Sequence, residues 1–326
     1  MNTRRKLVLA LGAGAFAPLA AFAQPRKVWR IGFLQESKPT TDIPRLDAFK
    51  AGMSALGYVE GKDYVTEIRS AQDNLAGLPA LAAELVALKV DVILPTGTPA
   101  AMAASKATRE IPIVIATVGD PVGSGLAASL ARPGGNVTGL TNLSAELITK
   151  RLDLLRQILP RMRRVGLLYD SSNPVDALGL TRFVSDCAKL QLQSIRAPAR
   201  KAEEIAAAFK TLARDNAQGL IVIPSNANNT SRASIIEHAA KQRLPAVYGR
   251  SDYAEAGGLI SYAPDVVDLH RRSAAYADKI FKGAKPGDIP IEQPTRFDFV
   301  LNMKTAKALG LRIQGSILVQ ATRVIE

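Results

Sequence analysis

Arg30-Ile-Gly-Phe-Leu-Gln-Glu-Ser37 and Arg164-Val-Gly-Leu-Leu-Tyr-Asp-Ser171 are the two stretches on which the fold turns. Each is a basic residue, a short apolar run with glycine in the third place, and a polar turn. Such a run, without polar alternation, reads as a strand buried on both faces that opens at its carboxyl end into a loop. The pairing recurs downstream in the same order. Val92-Ile-Leu-Pro95-Thr-Gly-Thr98 matches Ile221-Val-Ile-Pro224-Ser-Asn-Ala227, and Ile111-Pro112-Ile113 matches Leu244-Pro245-Ala246. Three matches in one order predict two lobes of like topology.

Between the strands lie helical patterns. Leu78, Leu81, Leu85 and Leu88 keep the three-and-four spacing of an amphipathic helix, as do Ile148, Leu152, Leu155 and Leu159, and Ile205, Phe209 and Leu212. Strands alternating with such helices give βαβ units, so the expected class is α/β, with two Rossmann-like lobes built on parallel sheets. Val137–Thr141 and Gly258–Tyr262 read as short strands at which the chain crosses between lobes, and Ile289–Pro294 as a third crossing. A helix is expected from Asp265 to about Lys282. A three-segment hinge of this kind resists shear but opens and closes freely. The expected division is a leader over 1–23, a first lobe of 24–141 plus 262–288, and a second lobe of 142–261 plus 289–326.

Composition narrows the function. The chain has 326 residues, of which 47% are hydrophobic and 22% charged, with a formal charge of +13. Arg4, Arg5 and Lys6 precede an apolar run from Leu7 to Leu19, and Ala21-Phe22-Ala23 has the small-residue pattern of a cleavage site. The expectation is an exported, periplasmic protein cut after Ala23. The three leader cations then leave +10 of the +13. Those remaining charges are dispersed and only 5% of residues are aromatic, which argues against nucleic acid as a partner. One cysteine, Cys187, and two histidines, His238 and His270, provide neither a disulfide framework nor a metal cluster. Cys187 reads as a helix-packing thiol, His238 as a surface or packing residue and His270 as a solvated one. No G-x-S-x-G, P-loop or H-E-x-x-H pattern occurs, and no cofactor is expected.

In open parallel sheets, ligands bind beyond the carboxyl ends of the strands. There the first half carries Gln35, Glu36 and Ser37, then Thr96, Gly97 and Thr98, then Asp120. The second carries Tyr169, Asp170, Ser171 and Asn173, then Ser225 and Asn226, with Tyr248 and Tyr262. Thr98 with Pro99, and Asn173 with Pro174, look like an N-cap and the first helical residue, and a helix N-terminus offers N–H groups to a carboxylate. The acids could face an ammonium group, and the tyrosines an apolar part. The same set admits other uses. One is an exported enzyme with Asp120 or Asp170 as base and Ser171 or Ser225 assisting; another is a ligand sensor for a membrane kinase.

Several longer stretches carry a resemblance. Ala55-Leu-Gly-Tyr-Val-Glu-Gly-Lys62, Leu78-Pro-Ala-Leu-Ala-Ala-Glu-Leu-Val86 and Gly119-Asp-Pro-Val122 lie in the first half, followed by Leu130-Ala-Arg-Pro-Gly-Gly-Asn-Val-Thr-Gly139. Lys150-Arg-Leu-Asp-Leu-Leu155, Ala256-Gly-Gly-Leu-Ile-Ser-Tyr262 and Asn302-Met-Lys-Thr-Ala-Lys-Ala-Leu-Gly-Leu311 follow. Together they resemble ABC transporter substrate-binding proteins of the tryptophan/tyrosine branch, over essentially the whole mature chain. The resemblance implies a type I periplasmic-binding fold that closes over one small ligand, an amino acid, aromatic ones included, or a related organic acid. It also implies a permease in the inner membrane as partner, a monomeric receptor and no enzymatic role.

Overall fold

The computed structural model describes residues 27–326, so the leader expected over 1–23 lies outside the described residues. The first lobe runs β1 (Trp29–Gln35), α1 (Pro39–Ala55), β2 (Tyr64–Ser70), α2 (Leu78–Ala87), β3 (Val92–Pro95), α3 (Thr98–Ala107), β4 (Ile113–Val118) and β5 (Val137–Thr141). The second begins with α4 (Leu147–Ile158), β6 (Arg164–Tyr169), α5 (Pro174–Lys189), β7 (Gln193–Pro198) and α6 (Ile205–Arg214). It continues with β8 (Gly219–Val222), α7 (Asn226–Thr230), α8 (Arg232–Lys241), β9 (Ala246–Tyr248), α9 (Ser251–Glu255) and β10 (Ile260–Pro264). The chain then forms α10 (Val266–Phe281) and ends with β11 (Phe297–Asn302), α11 (Met303–Ala308), α12 (Gly315–Gln320) and β12 (Arg323–Ile325).

The five-stranded sheet has the order β2-β1-β3-β4-β5, and the seven-stranded sheet the order β7-β6-β8-β9-β10-β11-β12. The first five strands of each sheet follow the same parallel order, and the three matched stretches fall on equivalent strands: β1 and β6, β3 and β8, β4 and β9. The shared glycine has a packing cause. A Cβ on Gly32 would stand 3.0 Å from a Leu85 methyl of α2, and one on Gly166 would overlap Leu212 of α6. In both lobes a leucine of a covering helix presses onto the first strand, and a side chain there would overpack by about 1–3 kcal/mol.

Two expected boundaries move. Tyr262 pairs with Phe299 across the antiparallel β10–β11 ladder, so 262–264 belong to the second sheet and the crossing follows Pro264. Asp265 then caps α10, its carboxylate accepting from the N–H groups of Val267 (2.9 Å) and Asp268 (3.0 Å). Helix α10 packs in the first lobe: Leu269, Ala277 and Phe281 share a core with Ile31, Phe33 and Phe49, and Phe281 stacks on Trp29 at 4.2 Å. The return crossing also comes later than 288. Ile289 and Ile291 are buried in first-lobe cores, and Glu292 exchanges backbone hydrogen bonds with Gly139 (2.9 Å) and Thr141 (3.0 Å) of β5. The alternating Ile289-Pro290-Ile291 anchors the segment there.

Strands β2 and β7 lack a continuous apolar run because both are sheet edges. One face of β7 is exposed, so Gln193-Ser-Ile-Arg-Ala-Pro198 mixes polar and apolar residues. His270 is a correction: it is buried on α10, its Nδ1 2.7 Å from the Val266 carbonyl. Burial, with Arg45 nearby, pushes its pKa down to about 3, so the ring is neutral. His238 packs on Phe209 at 5.1 Å. Cys187 is a buried core thiol, pushed up to about 12 by burial.

Candidate functional site

In a sheet ordered 2-1-3-4-5, the crevice for a ligand opens between the first and third strands. Here that is between β1 and β3 in one lobe and between β6 and β8 in the other, and the two crevices face each other. The space open to water centres between them is about 70 Å³, room for roughly five waters. Glu36, Ser37, Thr96, Gly97 and Thr98 line it from the first lobe, and Asn173, Ser225 and Asn226 from the second.

Glu36 is the first lobe's contribution. It follows β1, is buried, and its Oε1 accepts from the N–H of Ala100 in the first turn of α3 at 3.1 Å. The expected cap is thereby corrected: α3 begins at Thr98, with Gly97 before it, and Thr98 Oγ1 instead accepts from the Gly119 N–H at 3.4 Å. Glu36 already supplies a carboxylate to this helix start, where an incoming ligand's carboxylate was expected. Burial raises its pKa to about 7, against the opposing pull of the Ala100 N–H and Arg45. Beneath it, Asp42 pairs with Arg45 at 2.6 Å and accepts from Thr96 Oγ1 at 3.3 Å. Burial pushes the Asp42 carboxyl up and pulls the Arg45 guanidinium down, each against the attraction of the other.

The second lobe contributes neutral caps and one isolated cation. Asn173 Oδ1 accepts from Val175 N (3.1 Å) at the start of α5, and Ser225 Oγ from Asn228 N (3.2 Å) at the start of α7. Arg151 of α4 is 0% exposed, yet it lines the cleft. Its Nε donates to the Tyr262 carbonyl at 3.0 Å and its Nη1 to the Ser144 carbonyl at 3.3 Å. No carboxylate among the described residues pairs with it. A lone guanidinium held out of water costs several kcal/mol, and burial pulls its pKa down to about 10. Gly249 packs closely beside it: a Cβ there would overlap the Pro224 ring and stand 3.1 Å from Nη2. Arg250 also lines the cleft, but it is paired with Asp252 at 2.8 Å. Thr117 Oγ1 and Asn229 Oδ1 are buried cleft atoms without a hydrogen-bond partner among the described residues.

The lobes touch across the cleft. Ser37 Oγ donates to Asn226 Oδ1 at 2.8 Å, and Asn226 Nδ2 donates to Asp73 at 3.2 Å. At Gly119 the approach is closer still, because a Cβ would overlap Ser144 and stand 2.6 Å from a Val175 methyl of the other lobe.

Seven expected residues lie elsewhere. Tyr169 is in the second lobe's core, Tyr248 stacks on Tyr253 at 4.7 Å, and Tyr262 stacks on Phe297 at 5.6 Å. Each ends or lies within a strand and turns its ring into a packed layer. Among the described residues, no aromatic side chain lines the cleft; its apolar surface is Pro99, Val175, Pro224, Pro264 and Val266. Asp120 folds onto its own loop, accepting from Val122 N (3.1 Å) and Gly123 N (2.7 Å). Asp170 does the same with Ser172, at 2.8 Å from its N–H and 2.6 Å from its hydroxyl. Ser171 is exposed, and Gln35 is buried at the end of β1 with Oε1 unpartnered among the described residues. Neither acid proposed as a base therefore faces the cleft. Arg151 was missed, although its signal is in the sequence. It sits between Ile148, Leu152 and Leu155 on the apolar face of α4, where a charge needs a reason.

The family profile described as ABC transporter substrate binding protein matches residues 39–325. The chain belongs to that family. A tyrosine-binding protein of Clostridioides difficile is 27% identical over 274 residues, 82% of this chain and 78% of that protein. A conserved domain protein of Vibrio cholerae superposes with a TM-score of 0.86 at 27% identity, covering 91% of this chain and 100% of that one. An ABC domain of Streptococcus pneumoniae, solved in complex with L-Trp, gives 0.84 at 25% identity, covering 92% and 100%. The architecture is the type I periplasmic-binding fold. As an ABC transporter substrate-binding protein, the chain serves an import system with a small ligand and a permease. Among the described residues no helix is long and apolar enough to cross a membrane.

Proposed function

We propose that the protein is exported to the periplasm, captures a free amino acid between its lobes as a monomer, and delivers it to an inner-membrane permease. The observation that carries this reading is the cleft itself: polar side chains from equivalent strand ends of both lobes enclose a space for one small molecule, with a carboxylate, Glu36, and an unpaired guanidinium, Arg151, both on its wall. A relative named for tyrosine and another solved with L-Trp support an aromatic side chain, whose ring would lie against Pro99, Val175 and Pro224. The basic, apolar and Ala-x-Ala order of the first 23 residues supports export. Binding shifts the lobes toward the closed arrangement, and the permease reads that arrangement.

The test is titration calorimetry of ligand-stripped protein against the common amino acids and simple aromatic acids. One or a few amino acids bind, aromatic ones tightest. A protein that binds no amino acid but takes up a sugar or an uncharged solute contradicts the proposal.

A further inference from the structure

Most charged groups at the cleft already have partners. Arg45 is held by Asp42 and Arg250 by Asp252. Arg151 differs. It is buried, it donates to two backbone carbonyls, and three of its five N–H donors have no partner among the described residues. A carboxylate placed against Nη2 from the cleft would complete both its hydrogen bonding and its charge, and Gly249 puts no side chain against that nitrogen. Glu36 stands on the opposite lobe with one oxygen, Oε1, accepting from Ala100, while Oε2 has no hydrogen-bond donor among the described residues.

We propose that Arg151 and Glu36 are the two poles of a clamp for an α-amino acid with both termini free: Arg151 takes the ligand carboxylate and Glu36 its ammonium. This deepens the amino-acid reading above and rests on it. The poles belong to different lobes, so a ligand satisfies both only when the lobes are closed, which makes the zwitterion itself the closing signal. Bidentate pairing favours a guanidinium over an ammonium group at this position. The clamp selects against peptides blocked at either end, amines and simple acids, each of which leaves one buried charge unmatched. Thr117 of the first lobe and Asn229 of the second offer further hydrogen-bonding groups in the cleft.

The experiment compares three probes: L-tyrosine, L-tyrosinamide, and the 2-hydroxy acid that replaces tyrosine's ammonium with hydroxyl. Each is titrated into ligand-stripped wild type, Arg151→Gln and Glu36→Gln. Wild type should prefer tyrosine over each analogue by about 100-fold or more. In Arg151→Gln the preference for acid over amide should collapse to within about threefold while the preference for amine over hydroxyl survives, and in Glu36→Gln the reverse should hold. If Arg151→Gln does not fold, Arg151→Lys and the analogues on wild type still decide. Analogues that bind like tyrosine, or variants that weaken all three probes equally, overturn the clamp and leave the amino-acid reading standing. A wild type that binds none of the amino acids overturns both.

Discussion

Glu36 and Asp170 occupy the same place in the two halves, after the first strand of each sheet, yet they do different work. Glu36 reaches out of its loop to the start of α3 and onto the cleft wall. Asp170, one methylene shorter, turns back on Ser172, while its own N–H is held by the buried Asp176 at 2.8 Å. The helix starts of the second lobe are capped by the neutral Asn173 and Ser225, and its cleft charge comes from Arg151. Two lobes of one topology thus present opposite charges across the gap. A repeated scaffold specifies where a site forms, and the side chains at its strand ends specify which pole each lobe supplies.

The sharpest way to break this comparison is to neutralise the paired acids separately. Glu36→Gln should weaken amino-acid affinity about 50-fold, the scale of losing a buried charge partner. Asp170→Asn should leave affinity within about threefold and lower stability by about 1–2 kcal/mol through its loop. Calorimetry and thermal unfolding check both, and equal losses of affinity would erase the distinction between the lobes.

Closure comes next. Gly119→Val places a side chain against Ser144 and Val175, so it should prop the lobes apart and cost about tenfold in affinity by penalising the closed state. Small-angle scattering should show no compaction at ligand concentrations that compact wild type.

The pH dependence should follow Glu36. Its ordinary value of 4.5 is raised to about 7 by burial, with Asp42 and Asp170 pushing the same way and Arg45 and the Ala100 N–H opposing. A ligand ammonium favours the ionised form, so binding releases a proton and affinity falls as pH drops below 7. With a pKa near 7 in the free protein, the loss from pH 7 to pH 6 is about fivefold, and Glu36→Gln should flatten it. In the free protein the sign is opposite. A carboxyl raised in the folded state contributes stability that is present at low pH and is lost as pH rises from about 4.5 to 7.

The smallest effect belongs to the neutral latch. Ser37→Ala removes the hydrogen bond to Asn226 and should weaken binding about threefold, in line with a net value of about 0.5–1.5 kcal/mol.

Much of this was legible in the chain because equivalent strands repeat their local chemistry. The matched runs after Arg30 and Arg164, and the prolines at 95 and 224, mark first and third strands in both lobes, and the cleft lies between those strands. The cleft positions of Glu36, Ser37, Thr96, Asn173 and Asn226 follow from that repeat. What the repeat does not encode is the direction of a side chain at a strand end. Tyr169, Tyr248 and Tyr262 sit in the right stretches but turn into packed layers. Arg151 comes from the helix α4 of the second lobe, not from a strand end, so a search of strand ends passes over it. The lobe boundaries near 262 and 288 shifted because Tyr262 still pairs in β10 and Ile289–Glu292 still lies along β5, contacts set by partners distant in sequence.

The most direct measurement is a crystal structure of the protein with its bound amino acid. The ligand carboxylate should lie against the Arg151 guanidinium and the ammonium against Glu36, with both lobes in contact with it. A ligand lying with its ammonium toward Arg151, or bound outside the gap between β1/β3 and β6/β8, would contradict the account.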